Sequence, residues 1–195
     1  MYVLDIQSRS KKRFYLGAIA RVKNFIKNSY SVHVARKNGA HIGENVTLPL
    51  ALARKANSNL TVGNHSSIQS DKLDLRAPIT IGSNVIIGSG VEIITCSHNV
   101  DSPDWEHKSY GIKIEDYVWV ATKVLILPSC RAIKRGAVLA AGSVTAREIE
   151  AMQIVSGNPA VFLRMRKEVH FNLCVESLLG NDLQTYLRVR KNQLH

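Results

Sequence analysis

The sequence predicts a mainly β protein, a parallel β-helix of six-residue rungs with helical segments at both ends. Three observations lead there. Short aliphatic runs punctuated by Gly or Asn recur through the middle of the 195-residue chain, as in Ile81-Gly82-Ser83-Asn84-Val85-Ile86 and Ile87-Gly88-Ser89-Gly90-Val91-Glu92. Their period of six suits neither a helix nor a two-residue strand alternation, and such repeats indicate a solenoid. Helical periodicity is confined to the two ends.

In chain order, residues 1–38 form a basic lead-in. From Phe14 to Ser29 the apolar residues Leu16, Ile19, Val22, Phe25 and Ile26 recur at helical spacing, with Arg21, Lys23 and Lys27 among them. This amphipathic helix fits two uses, packing on protein or lying on an anionic membrane surface. The repeat occupies residues 39–160. Three rungs make a coil of about 18 residues, and coil starts at Ile42, Val62, Ile81, Ile114 and Ile133 are 20, 19, 33 and 19 residues apart. One long loop, residues 94–113, therefore interrupts an otherwise regular stack. Each start supplies an inward aliphatic residue, and a second inward layer comes from Val46, Val85, Val91, Val118 and Val124. Small residues such as Gly43, Gly63, Gly82, Gly88, Ala121 and Ala140 fit the tight corners. Residues 161–195 read as helical from Arg164 onward, with an interruption at Gly180-Asn181.

The charge of +11 is unevenly placed. Residues 1–43 hold nine Lys or Arg and one acid, residues 161–195 hold six and three, and the 117 residues between them hold 11 of each. A nucleic-acid reader carries its basic residues on the folded face that meets phosphate, so the neutral body argues against nucleic acid as a partner. No apolar stretch approaches a membrane span, and the basic N-terminus lacks the apolar core of a signal peptide. Cys96, Cys130 and Cys174 suggest neither disulfide framework nor zinc site. The expected address is cytoplasmic, with the basic end at the inner face of the membrane as its one peripheral option.

Four local features carry a family resemblance. Thr95-Cys96-Ser97-His98-Asn99 opens the long loop. Tyr117-Val118-Trp119-Val120-Ala121 and Ala140-Ala141-Gly142-Ser143-Val144 form two rungs, and Ser156-Gly157-Asn158-Pro159-Ala160, followed by Arg164, forms an exit from the repeat. Over residues 79–167 the chain resembles the left-handed β-helix, hexapeptide-repeat acyltransferases, particularly bacterial sugar O-acetyltransferases of the maltose, galactoside and colanic-acid type. The resemblance implies a left-handed, single-stranded coil and a homotrimer with active sites between subunits. It implies acetyl-CoA as co-substrate and a sugar or glycan acceptor, in surface or exopolysaccharide biosynthesis. His98 would be the catalytic base. Trp119, Ala121, Thr122, Ala141 and Arg147 would line the pantetheine groove, with Arg164 at its end. The chain departs from the pattern at Lys134, at Ala146 and in the run Ile126–Ile133, which is one residue too long.

The chemistry is consistent with those roles. A sugar hydroxyl attacking a thioester must lose its proton, and a histidine titrates in the useful range. Asp101, Asp104, Glu106 or a backbone carbonyl can orient the ring. A backbone N–H at Ala121 or Thr122 suits the developing oxyanion, and Arg147, Arg164, Arg166 and Lys167 suit phosphate. Other readings stand beside this one: Cys96 and His98 as a nucleophile pair, N-acetylation of an amino-sugar nucleotide, a non-catalytic scaffold, or a carbonic anhydrase using His65, His98 and His107. No metal site is expected.

Overall fold

The computed structural model describes residues 2–170 and 173–191. The chain opens with α1 (Tyr2–Gln7) and the long α2 (Lys11–Lys37), then enters β1 (His41–Ile42) and α3 (Leu50–Lys55). The repeat continues as β2 (Leu60–Val62), β3 (Ser67–Ile68), β4 (Ile79–Ile81), β5 (Ile86–Ile87) and β6 (Glu92–Ile93). The long loop contains β7 (Cys96–His98) and β8 (His107–Ser109). Then follow β9 (Ile112–Ile114), β10 (Trp119–Val120), β11 (Leu125–Ile126), β12 (Ala132–Ile133), β13 (Val138–Leu139), β14 (Val144–Thr145), β15 (Gln153–Ser156) and β16 (Val161–Met165). A 3-10 turn at Val175–Leu179 and α4 (Leu183–Lys191) complete the described chain.

Successive strands visit three sheets in rotation. The first has the order β1-β2-β4-β9-β12, the second β3-β5-β10-β13-β15-β16, and the third β6-β11-β14. All their pairings are parallel except β15 with β16. The five expected coil starts stand in one register, Ile42 on Val62, Ile81, Ile114 and Ile133. Each is buried, as are Val46, Val85, Val91, Val118 and Val124. Stacked aliphatic columns fill the interior because each rung points one side chain inward at the same height as its neighbours.

The corners have a rule that the sequence pattern did not reveal. The third residue after each first-sheet aliphatic is left-handed: Asn45, His65, Asn84, Tyr117, Gly136 and Met152, with φ between 52° and 70°. The turn from the second sheet to the third repeats it at Gly90, Lys123 and Gly142. A left-handed residue reverses the chain tightly and releases it into the next extended rung.

Three expectations need correction. The first coil has no third strand, because α3 takes that place and buries Leu52 and Ala53. No described strand lies below this coil to pair with one there, whereas a helix satisfies its own backbone. The N-terminal helix is longer than 14–29, and its end closes the stack. Buried Asn28 donates to the Val46 carbonyl (2.7 Å) and accepts from the Leu48 N–H (3.1 Å). Residues 161–165 are a strand instead of the start of a helix. They run back along β15, which would otherwise leave an open edge. The interruption at Gly180 is present, with φ of 64° ending the 3-10 turn.

The two termini meet in a second small core of Ile6, Phe14 and Tyr186. Tyr186 stacks on Phe14 at 4.8 Å and donates its hydroxyl to the Phe14 carbonyl. Buried Asp182 receives the Arg21 guanidinium at 2.9 and 3.0 Å.

Candidate active site

The long loop folds as a β-hairpin whose two strands face His98 toward His107 in direct register. Their rings lie 4.1 Å apart, and both side chains are exposed. His98 Nδ1 is 2.7 Å from the Trp105 carbonyl oxygen. A carbonyl only accepts, so Nδ1 is the donor, and in the neutral ring Nε2 keeps its lone pair. The orienting group is thus a backbone carbonyl, not one of the three carboxylates considered. Left-handed Trp105 (φ 54°) aims that carbonyl, and its ring meets His98 edge-on at 6.2 Å. Asp104 instead accepts from the Ser102 hydroxyl, which lowers its pKa. Cys96 is buried beside Ser109, with Sγ to Oγ 3.3 Å.

The root of the hairpin is braced from an adjacent coil. Asp74 accepts from the Thr95 N–H (3.1 Å) and pairs with Arg76 (2.8 and 2.9 Å). The Arg76 guanidinium, helped by the Thr95 N–H, holds the Asp74 carboxyl well below the usual carboxylate range. A depressed pKa means the folded state prefers the ionised group, so its stabilisation is full above the unfolded pKa and fades as pH falls. Asp74→Asn is therefore expected to lower the melting temperature at neutral pH, with the gap to wild type shrinking as the pH drops below the ordinary carboxylate range. Melting curves across a pH series measure it, and a gap independent of pH would assign the loss to shape instead of charge.

A cavity of about 840 Å³ lies on the outer face of the second sheet. It brings together four of the expected groove residues, Trp119, Ala121, Thr122 and Ala141. Trp119 stands between Ile86 and Val138 on neighbouring strands and remains 47% exposed. Gly88 makes room here, since a Cβ would sit 2.8 Å from both the Ala121 carbonyl carbon and the Thr122 nitrogen. Of the two backbone donors considered, Ala121 commits its N–H to the Leu139 carbonyl (3.0 Å), in keeping with its place beside the ladder. Thr122 is left as the candidate.

The outer wall of the cavity comes from a segment that sequence reasoning missed, with Val169, His170, Leu173, Val175 and Leu178 facing the sheet. His65 holds this segment through buried Glu176, Nδ1 to Oε1 3.3 Å. No short-range pattern announces such a wall, because the contact that holds it joins Glu176 to His65, 111 residues away. Arg166 lines the cavity but commits one nitrogen, Nη1, to the backbone. It is half-buried and donates to the Tyr117 and Gly136 carbonyls, both at 3.0 Å. Arg147 and Arg164 are exposed but do not line the cavity, and neither does His98. His65, committed to Glu176, does not join His98 and His107, and no metal-holding group of His, Cys, Asp or Glu occurs among the described residues.

No protein-family model matches the chain. Over 131 residues it is 31% identical to an Escherichia coli protein provisionally named a colanic acid biosynthesis acetyltransferase, covering 67% of this chain and 71% of that protein. Over 94 residues it is 34% identical to a provisionally named acetyltransferase of Schizosaccharomyces pombe. That match covers 45% of this chain and 44% of the yeast protein, so the chain spans less than half of that relative. Its fold is similar to a hexapeptide-repeat acetyltransferase from Vibrio cholerae, solved with acetyl coenzyme A. The TM-score is 0.64 at 26% identity, over 83% of this chain and 91% of that one. With three rotating sheets of six-residue rungs, a loop histidine and relatives of this kind, the chain belongs to the hexapeptide-repeat acetyltransferases, a family of acyltransferase enzymes.

Proposed function

We propose that this protein moves an acetyl group from acetyl-CoA to a sugar hydroxyl, in bacterial surface or exopolysaccharide biosynthesis, with His98 as the general base. The observation that carries the reading is the Nδ1–H bond to the Trp105 carbonyl, which leaves an exposed Nε2 lone pair. In the reaction Nε2 takes the acceptor proton as its oxygen attacks the thioester carbonyl. The Thr122 N–H receives the developing oxyanion, and the imidazolium returns its proton to the departing thiolate of coenzyme A. Trp119, Ala121 and Ala141 flank the pantetheine arm, while Arg147 and Arg164, both exposed, meet the nucleotide phosphates.

The winding of the coil is proposed to be left-handed, as in the family. The assembly is proposed to be a homotrimer with shared sites. The separation of His98 from the cavity within one chain supports that, since a neighbouring subunit can bring base and donor together. The name of the Escherichia coli relative supports the glycan pathway.

The test supplies acetyl-CoA with matched hydroxyl-bearing and amine-bearing sugars and measures acetylated product by mass. Ester formation on the hydroxyl sugars is the expected result. Amide formation alone would replace the reading with N-acetylation, and no turnover on any sugar would remove the acceptor class.

A further inference from the structure

The helix α2 buries one face and leaves an apolar stripe exposed on the other. Phe14, Asn28, Ser31 and Ala35 are buried against the body. On the other side Tyr15, Ile19, Val22, Ile26 and Tyr30 follow one another at steps of four, three, four and four residues, with Leu16 beside them. These six side chains are between 42 and 68% exposed. Such spacing draws a continuous apolar stripe along a helix. A tyrosine at each end presents a ring with one apolar body and one polar tip, the arrangement favoured at a membrane boundary.

The charge around the stripe has one sign. α2 contains no Asp or Glu, and Lys11, Lys12, Lys23 and Lys27 are exposed. At 100° per residue, Lys11 falls at one edge of the stripe, Lys12 within it and Lys23 and Lys27 along the other edge. Two copies of this helix laid stripe to stripe would bring these lysines together without a carboxylate between them, which opposes self-pairing. No described helix is long and apolar enough to cross a membrane, so the stripe suits a helix lying in the plane of a surface.

We propose that the outer face of α2 docks on an anionic lipid bilayer. The apolar side chains enter the boundary between headgroups and acyl chains, and the lysines meet lipid phosphates. This surface is separate from the acetyl-transfer site and does not depend on how that site works.

The experiment is flotation of the full chain with phosphatidylcholine vesicles, with and without about one-third phosphatidylglycerol. The protein is expected to float with the anionic vesicles and not with the neutral ones. Ile19→Asp with Ile26→Asp abolishes flotation while melting temperature and solution oligomer size stay as in wild type. Lys23→Glu with Lys27→Glu weakens it roughly 30-fold or more, from about a factor of five for each lysine lost. Equal recovery with neutral and anionic vesicles overturns the proposal. So does a smaller oligomer in the Ile19→Asp, Ile26→Asp variant, which would make the stripe a subunit contact.

Discussion

His98→Ala is expected to lower acetyl transfer by about 10²–10⁴-fold while leaving the melting temperature unchanged. The side chain is exposed and, among the described residues, its ring hydrogen-bonds only to the Trp105 carbonyl, so little packing is lost with it. The proton step is what disappears, because no other ring nitrogen in the hairpin is held with its lone pair outward by a carbonyl. The His107 ring lies 4.1 Å away, close enough to feel the charge that the proposed mechanism places on His98. Initial rates in saturating acetyl-CoA, together with product mass, measure the effect. Wild-type turnover in the variant would remove His98 from the mechanism.

Asp182→Ala is expected to destabilise the protein by about 3 kcal/mol, the range found when one partner of a buried pair is deleted. The Asp182 carboxylate is wholly buried and the Arg21 side chain is 17% exposed, so neither recovers full hydration. The Arg21 guanidinium also stacks on Tyr186 at 4.0 Å, and Tyr186 in turn carries the contact with Phe14. Losing the pair therefore loosens the segment containing Val175 and Leu178, the outer wall of the cavity. The variant should show a lower melting temperature, faster amide exchange over residues 175–189 and a raised KM for acetyl-CoA with kcat retained. Unchanged exchange there would place the hold on the segment in the Phe14–Tyr186 stack instead.

The stack was legible in the sequence because a column of equivalent positions demands the same kind of residue in every coil. Ile42, Val62, Ile81, Ile114 and Ile133 satisfy that demand without exception. The corner rule was hidden for the opposite reason. A left-handed backbone favours Gly and Asn, but here it is held by ladder hydrogen bonds above and below, so His65, Tyr117, Lys123 and Met152 are tolerated. α3 escaped because Leu52 faces the interior whether its segment is helix or rung. Trp119, Ala121, Thr122 and Ala141 came from the family resemblance, and the stacked rungs set them around one cavity. The wall opposite them was not legible, since Glu176 and Asp182 find His65 and Arg21 through tertiary structure alone.

Ile81 pairs with Ile114 as closely as Val62 pairs with Ile81, although 33 residues separate the first two in sequence and 19 the second. The hairpin carrying His98 thus leaves the ladder at one rung and rejoins it at the next without disturbing either. The histidine and the ladder are written in different parts of the chain. The coil would close equally well over a shorter crossing, and a hairpin of another shape would leave the same ladder intact. A change in the hairpin can proceed as the exchange of a single graft on a trunk that never has to refold.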